Sequence, residues 1–279
     1  PWAAMSGIVT SMSYRKIFSI VNEHTASTVA ARYAISLAAS CKAGLVLYAA
    51  HDKKLDETKR RHTDLHLEHL YAVASKMNIP VTRITEIGNI SNLLPKRVSE
   101  EKTDLVFYPL TPDEQYGATL QRHTVHGLLR SIGPDLAIVR TVSMAKPHPG
   151  NMLVPLGMID KNKERHILFV SELARSFHSQ VTLFHLFQKL GATVMPVDIT
   201  RFRNRLLQQN IIVLERSGRG QICKSITVEA ITRHNDLIVL GASQRGVLRR
   251  LFIGNPAGDV MRQPPCNTIL FRPALSEAL

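Results

Sequence analysis

The run GASQRGVLRRLFIGN, residues 241–255, carries glycines at 241, 246 and 254 and arginines at 245, 249 and 250. A glycine at the end of a strand lets backbone approach a ligand closely. A helix that starts just beyond points unpaired N–H groups and the positive end of its dipole at the loop. DLIVL (236–240) reads as that strand. Asn255 can cap the helix that follows. Pro256 fits its first position, which needs no N–H donor, and Pro264 and Pro265 stop it. Such a loop suits an anion, a phosphate in particular. Glycine at a strand end and asparagine before a helix are also ordinary turn chemistry, so the pattern alone leaves both readings open.

His62, His66 and His69 form a second set, at i, i+4 and i+7 on one face of a helix expected over 56–77. Three imidazoles so spaced could bind zinc or nickel. Arg60, Arg61, Asp64 and Glu68 lie among them and favour a solvated face, so no metal is expected. His123 and His126 fall in a loop without an obvious carboxylate partner, and His185 within LFHLF reads as a strand-end residue. The sequence holds no Gly-x-Ser-x-Gly elbow and no H-E-x-x-H motif, and the chain reads as non-enzymatic.

The elements that must position these residues come twice. RKIFSIVN (15–22) answers to GNMLVPLG (150–157), LVLYAAH (45–51) to VTLFHLF (181–187), and PVTRITE (80–86) to IIVLERS (211–217). TDLVFYPL (103–110) answers to NDLIVLGA (235–242), and LAIVRT (136–141) to TILFRP (268–273), all at an offset of roughly 131 to 136 residues. The runs are continuously apolar, as in parallel strands buried on both faces. Helices are expected between them, over 24–41, 56–77, 90–102 and 221–234, with Leu67, Leu70, Tyr71 and Ala74 at helical spacing in the second. MAKPHPG (144–150) reads as a linker. Strand–helix alternation predicts a doubly wound α/β sheet in each half, with any ligand at the carboxyl ends of the strands.

The chain has 279 residues, 44% hydrophobic, with a formal charge of +13. That charge points to an anionic partner. Nucleic acid is disfavoured: KRRH, RFRNR and RGVLRR lie far apart and aromatics make up 6%. Three scattered cysteines suggest a reducing compartment. The most apolar stretch, 33–50, holds Lys42 and Gly44, and reads as a helix end followed by a buried strand rather than a membrane span. The chain opens PWAAMSG without an initiator methionine, as a processed protein, a tag scar or a piece of a longer chain would.

The doubled order of elements, with DLIVLGAS and the terminal PPCNTILFRP, resembles the universal stress protein family. The resemblance implies two five-stranded, doubly wound parallel units in tandem, with terminal strands 136–141 and 268–273 near their shared interface. Members that bind ATP carry Gly, two residues, Gly, nine residues, Gly, then Ser or Thr. Gly241 and Gly254 match the outer glycines, Gln244 takes the middle position with Gly246 displaced by two, and Asn255 replaces Ser/Thr. Gly157 stands where the family's first strand carries an Asp that faces the nucleotide. These five residues, Gly157, Gly241, Gly246, Gly254 and Asn255, form the candidate cofactor site, altered enough to be vestigial; ATP or another adenine nucleotide is the implied ligand. In the first half Pro109 matches Gly241 and Asn22 stands at the Asp position, so that copy is expected to have lost its site.

Tandem domains of this kind also form the cytoplasmic C-terminal domains of cation–chloride cotransporters and relatives in the amino acid–polyamine–organocation superfamily. Trp2, Gly7, Ser11 and Ser13 resemble the segment leaving the last membrane helix in such proteins. The expected organisation is a connector (1–13), a first unit (14–143), a linker (144–149) and a second unit (150–279). The expected role is a non-enzymatic regulatory and dimerisation domain at the cytoplasmic side of the cell membrane, homodimeric and attached to the membrane-embedded part of the same chain. Its basic face would suit an anionic leaflet, where each nearby basic residue is worth roughly 1 kcal/mol. The alternative is a free-standing tandem universal stress protein that binds ATP.

Overall fold

The computed structural model describes residues 13–52, 56–110, 127–142, 148–157, 163–187, 194–242 and 260–274. The apolar runs become ten strands. In chain order the elements are β1 (Lys16–Ile20), α1 (Thr25–Cys41), β2 (Gly44–His51), α2 (Glu57–Lys76), β3 (Val81–Ile87), α3 (Ile90–Glu100), β4 (Leu105–Leu110) and β5 (Asp135–Arg140). There follow β6 (Asn151–Leu156), α4 (Lys163–Phe177), β7 (Gln180–Leu186), α5 (Val197–Leu207), β8 (Val213–Gly218), α6 (Ile222–Thr232), β9 (Leu237–Gly241) and β10 (Asn267–Arg272). Short helical turns cover 127–131 and 260–262.

The strands form one sheet in the order β3-β2-β1-β4-β5-β10-β9-β6-β7-β8. Every neighbouring pair is parallel except β5 and β10, which run antiparallel with Ile138 opposite Leu270. The expected α/β fold is present, with one correction: the strands form a single mixed sheet rather than two clearly separate five-stranded parallel units, and the two terminal strands, expected near the shared interface, pair at its centre. Pairing there removes the two edges that β5 and β10 would otherwise leave open.

Both faces of the sheet are covered. On one side lie α1, α2, α4 and α5, which bury Tyr33, Leu37, Leu67, Leu70, Phe169 and Phe202 in a core that runs unbroken past the β5–β10 seam. Phe169 stacks on Phe271 at 4.3 Å, and Phe107, from the other half, lies 6.2 Å from Phe169. The other side is closed by α3, α6 and the two short turns over Val46, Tyr48, Val106, Ile238 and Leu240. Tyr71, expected on the buried face of α2, is instead 40% exposed, with the Arg83 guanidinium over its ring.

Local devices recur between the halves. The Asp104 carboxylate accepts from the N–H groups of Arg15 and Lys16 at 2.6 and 3.0 Å; that of Asp236 accepts from Gly150 and Asn151 at 2.9 and 3.0 Å. Each aspartate thus fixes the start of a neighbouring strand more than eighty residues away. Positive φ angles recur too, at Lys42 and His178 (55° and 54°), Asn78 and Asn210 (57° both), and Lys102 and His234 (50° both). All six residues follow a helix, where one left-handed residue turns the chain back toward the next strand.

The seam carries a polar node. Asp135, at the start of β5, is fully buried. Its carboxylate accepts from the Tyr14 hydroxyl (2.8 Å), Arg165 Nε (3.2 Å) and the Ala274 N–H (2.7 Å). At the corresponding place on β10, Asn267 accepts from the Val142 N–H (2.9 Å) and donates to the Tyr33 hydroxyl (2.7 Å). A carboxylate and an amide thus do similar work at matching ends of the seam.

Candidate functional site

In doubly wound sheets the crevice lies where neighbouring strands send their connections to opposite sides. In the second half that place is between β6 and β9. The β6–β9 ladder has just two partner pairs, Met152–Leu237 and Leu153–Ile238. Beyond them Val154–Leu156 and Val239–Gly241 diverge toward their carboxyl ends. The divergence leaves Gly157 and Gly241 at neighbouring carboxyl ends, on either side of the crevice expected there. Gly246, Gly254 and Asn255 lie outside the described residues, as do Arg245, Arg249 and Arg250.

Gly241 has a packing reason to be glycine. A Cβ there would sit 2.9 Å from Cε1 and 3.1 Å from Nδ1 of His166. His166, in the first turn of α4, is 4% exposed, stacks on Phe271 at 5.7 Å and presents its edge to Phe202 at 5.5 Å. Its Nε2 has no hydrogen-bond partner among the described residues. Burial alone pulls its pKa down to about 4, so the ring is neutral at physiological pH. A neutral imidazole brings no charge to the lip of the crevice. No sequence signal pointed to His166; its neighbours in KERHILFV give no hint that it meets residue 241.

Gly157 differs: a Cβ there would meet nothing within 4 Å. Among the described residues nothing requires glycine at that position. The end of β6 is steadied instead by His185, a buried strand residue whose Nδ1 lies 3.0 Å from the accepting Leu156 carbonyl. The cations of the first turn of α4 are already engaged: Lys163 pairs with Asp198, and Arg165 reaches Asp135 at 2.9 Å.

At the matching place in the first half the side chains after β1 are bonded to one another and to nearby backbone. Ser27 Oγ donates toward the Asn22 and His24 carbonyls and accepts from the Asn22 N–H at 3.1 Å. Asn22 Oδ1 accepts from the His24 N–H (3.0 Å), and His66 Nδ1 lies 2.9 Å from the Asn22 carbonyl. Pro109 pairs with Val139 where its counterpart Gly241 pairs with Phe271. Of the three histidines on α2, His66 is thus used in packing and His62 and His69 are exposed. Among the described residues no group of three or more His, Cys, Asp or Glu is arranged to hold a metal ion. His123 and His126 lie outside the described residues.

Residues 150–272 match the sequence profile of the Universal stress protein family. Several solved structures match nearly the whole chain, three of them as follows. A universal stress protein from Archaeoglobus fulgidus DSM 4304 superposes with a TM-score of 0.66 at 12% identity, covering 93% of this chain and 96% of that one. A putative universal stress protein from Pseudomonas aeruginosa UCBPP-PA14 gives 0.61 at 15% identity, over 95% of each chain. The cytoplasmic domain of a prokaryotic cation chloride cotransporter gives 0.58 at 10% identity, over 93% of this chain and 95% of that one. No curated protein sequence matches. The chain therefore has a universal-stress-protein-like fold that also resembles the cotransporter cytoplasmic domain, a fold that is generally non-catalytic. No helix among the described residues is long and apolar enough to cross a membrane.

Proposed function

We propose that this chain is a non-enzymatic regulatory and dimerisation domain of a membrane transporter for ions or amino acids, held at the cytoplasmic side of the cell membrane. The observation that carries this reading is the likeness, over 93% of the chain, to the cytoplasmic domain of a cation chloride cotransporter. In this reading residues 1–13 are a connector, 14–143 and 144–149 a first unit and its linker, and 150–279 a second unit. The matched strand order on either side of the β5–β10 seam and the paired positive φ angles support two units in tandem. The altered cradle supports a regulatory rather than a nucleotide-driven role. Gly157 replaces the family's Asp, Pro109 replaces a glycine, and in the first half Asn22 is held by Ser27 and His66.

Two chains would meet through a symmetric contact, and exposed basic side chains would face anionic lipid. Deleting the domain from the full-length transporter, together with crosslinking in membranes and sedimentation of the isolated chain, tests this. The expected result is lost regulation or assembly; unchanged transport and monomers throughout overturn it.

A second reading is favoured by the higher TM-score, 0.66, to a universal stress protein: a free-standing tandem protein that binds ATP at Gly157, Gly241, Gly246, Gly254 and Asn255. Calorimetry with ATP separates the two. Weak or absent binding, abolished by Gly254→Asp where present, fits the regulatory domain. Tight binding by a chain with no membrane part favours the second.

A further inference from the structure

A groove of about 630 Å3 crosses the outer surface of the helical layer where the halves meet, within the size range of clefts that hold ligands or short segments. Ser36 and Ser40 of α1 line one wall and Arg175 of α4 another, with Met77, His178 and Ile212 at the rim. Among the described residues Arg175 is the one Lys, Arg, Asp or Glu in the lining, and its charge is already met by Glu172 at 3.2 Å. Over these residues the groove therefore carries little net charge, and its lining is made largely of serines, alanines, amides and the apolar Met77, Ile211 and Ile212.

The described chain begins beside it. The Ser13 hydroxyl and the Tyr14 backbone hydrogen-bond the Cys41 sulfur. Cys41, the last residue of α1, donates to Glu172 at 3.3 Å, the same carboxylate that holds Arg175. The segment that leads up to Ser13 is PWAAMSGIVTSM. In a chain that is 20% charged, these residues include no Asp, Glu, Lys or Arg, and they carry Trp2, Met5, Ile8, Val9 and Met12. Twelve residues reach about 40 Å when extended, several times the distance from Cys41 back to Ser36 along α1.

We propose that this groove is the docking seat of residues 1–12 of the same chain. Neutral lining meets a neutral segment, the tether fixes the segment at one end of the groove, and burying its apolar side chains supplies the driving force. The short tether also raises the effective concentration of the segment at the groove. The proposal holds whether or not a membrane part precedes residue 1. Seated there, the segment would touch both halves at once, through α1 and α4.

Trp2 is the sole tryptophan in the chain, so its fluorescence reports the segment directly. In the full chain its emission is expected to be blue-shifted and shielded from acrylamide. Met77→Arg and Ile212→Arg should each lower the docked-to-free ratio about tenfold, the factor implied by losing one well-buried apolar contact. Both rim side chains are exposed, at 45% and 65%, so the variants retain the fold, checked by circular dichroism. Trp2 emission as red and as quenchable as that of a free peptide overturns the proposal. Shielding that both variants leave unchanged also overturns it, by placing Trp2 elsewhere. Shielding that grows as protein concentration rises over about a hundredfold range assigns the segment to a second copy and overturns the intramolecular seat.

Discussion

Arg165 and Asp135 meet at 2.9 Å from opposite halves of the chain, across the seam, and the carboxylate they share with Tyr14 and Ala274 has no exposure to solvent. Both ends of the described chain, Tyr14 and Ala274, are thus tied to one side chain. Desolvation works against charge on Arg165, yet the nearby Asp135 carries its pKa above the ordinary value. Burial first, and then the Asp135 charge, push the Tyr14 phenol well above its usual range, so it stays a donor.

Asp135→Asn should therefore destabilise the fold by about 3–5 kcal/mol, because the Arg165 guanidinium loses its counter-charge in a largely buried site. Tyr14→Phe should cost about 1 kcal/mol, one hydrogen bond. Urea unfolding of each variant, closed into a double-mutant cycle with Arg165→Gln, should return a coupling energy above about 0.5 kcal/mol. Additive effects would show that the node is not one unit.

Gly241→Ala should cost about 1–3 kcal/mol, since its Cβ would press on the His166 ring in a packed core. Gly157→Ala should fall within about 0.5 kcal/mol of the parent, because its Cβ meets nothing among the described residues. Thermal or urea unfolding distinguishes them. Equal effects at both positions would mean that His166 is not what limits residue 241.

His166 makes stability depend on pH in a defined window. Its folded pKa, about 4, lies below the value of 6.5 for the unfolded chain. As pH falls through 6.5 the unfolded chain takes up the proton first. The contribution is therefore complete above about pH 6.5 and is lost progressively down to about pH 4, by at most about 3 kcal/mol. His166→Phe should flatten the loss between pH 7 and 4.5 by about 2 kcal/mol in urea titrations. An unchanged pH profile would place the acid sensitivity elsewhere.

Asp104→Ala and Asp236→Ala should destabilise by similar amounts, about 1–3 kcal/mol each, since each removes the acceptor for two backbone N–H groups. A large difference, read by urea unfolding, would show that the halves are not energetically alike at the starts of β1 and β6.

The strands were legible because each is a continuous apolar run, and the doubling of those runs located all ten. The motif Asp-Leu was visible in both halves at 104–105 and 236–237, but its role was not, since the N–H groups that Asp104 and Asp236 hold belong to strands 85 to 89 residues away. The meeting of β5 and β10 was expected from the family resemblance, but their antiparallel pairing into one sheet was not legible: LAIVRT and TILFRP announce buried strands without giving a direction. At the crevice, strand-end glycines were readable from turn chemistry. His166 was not, because a histidine within an apolar helix carries no local mark of the residue it will touch.

The antiparallel seam also gives the two crevices different neighbours. Phe271 lies level with Gly241 on one side and with Ala137 on the other, two residues from Asp135, where Tyr14 is anchored. The second-half crevice therefore opens on the same rim of the sheet at which the chain arrives, while the first-half crevice opens on the far rim. The copy that retains its strand-end glycine is the proximal one, and the copy with Pro109 in its place and Asn22 held by Ser27 and His66 is the distal one. A molecule held proximally would sit beside the arriving polypeptide. One held distally would have to act through the full length of the strands, about 17–20 Å away.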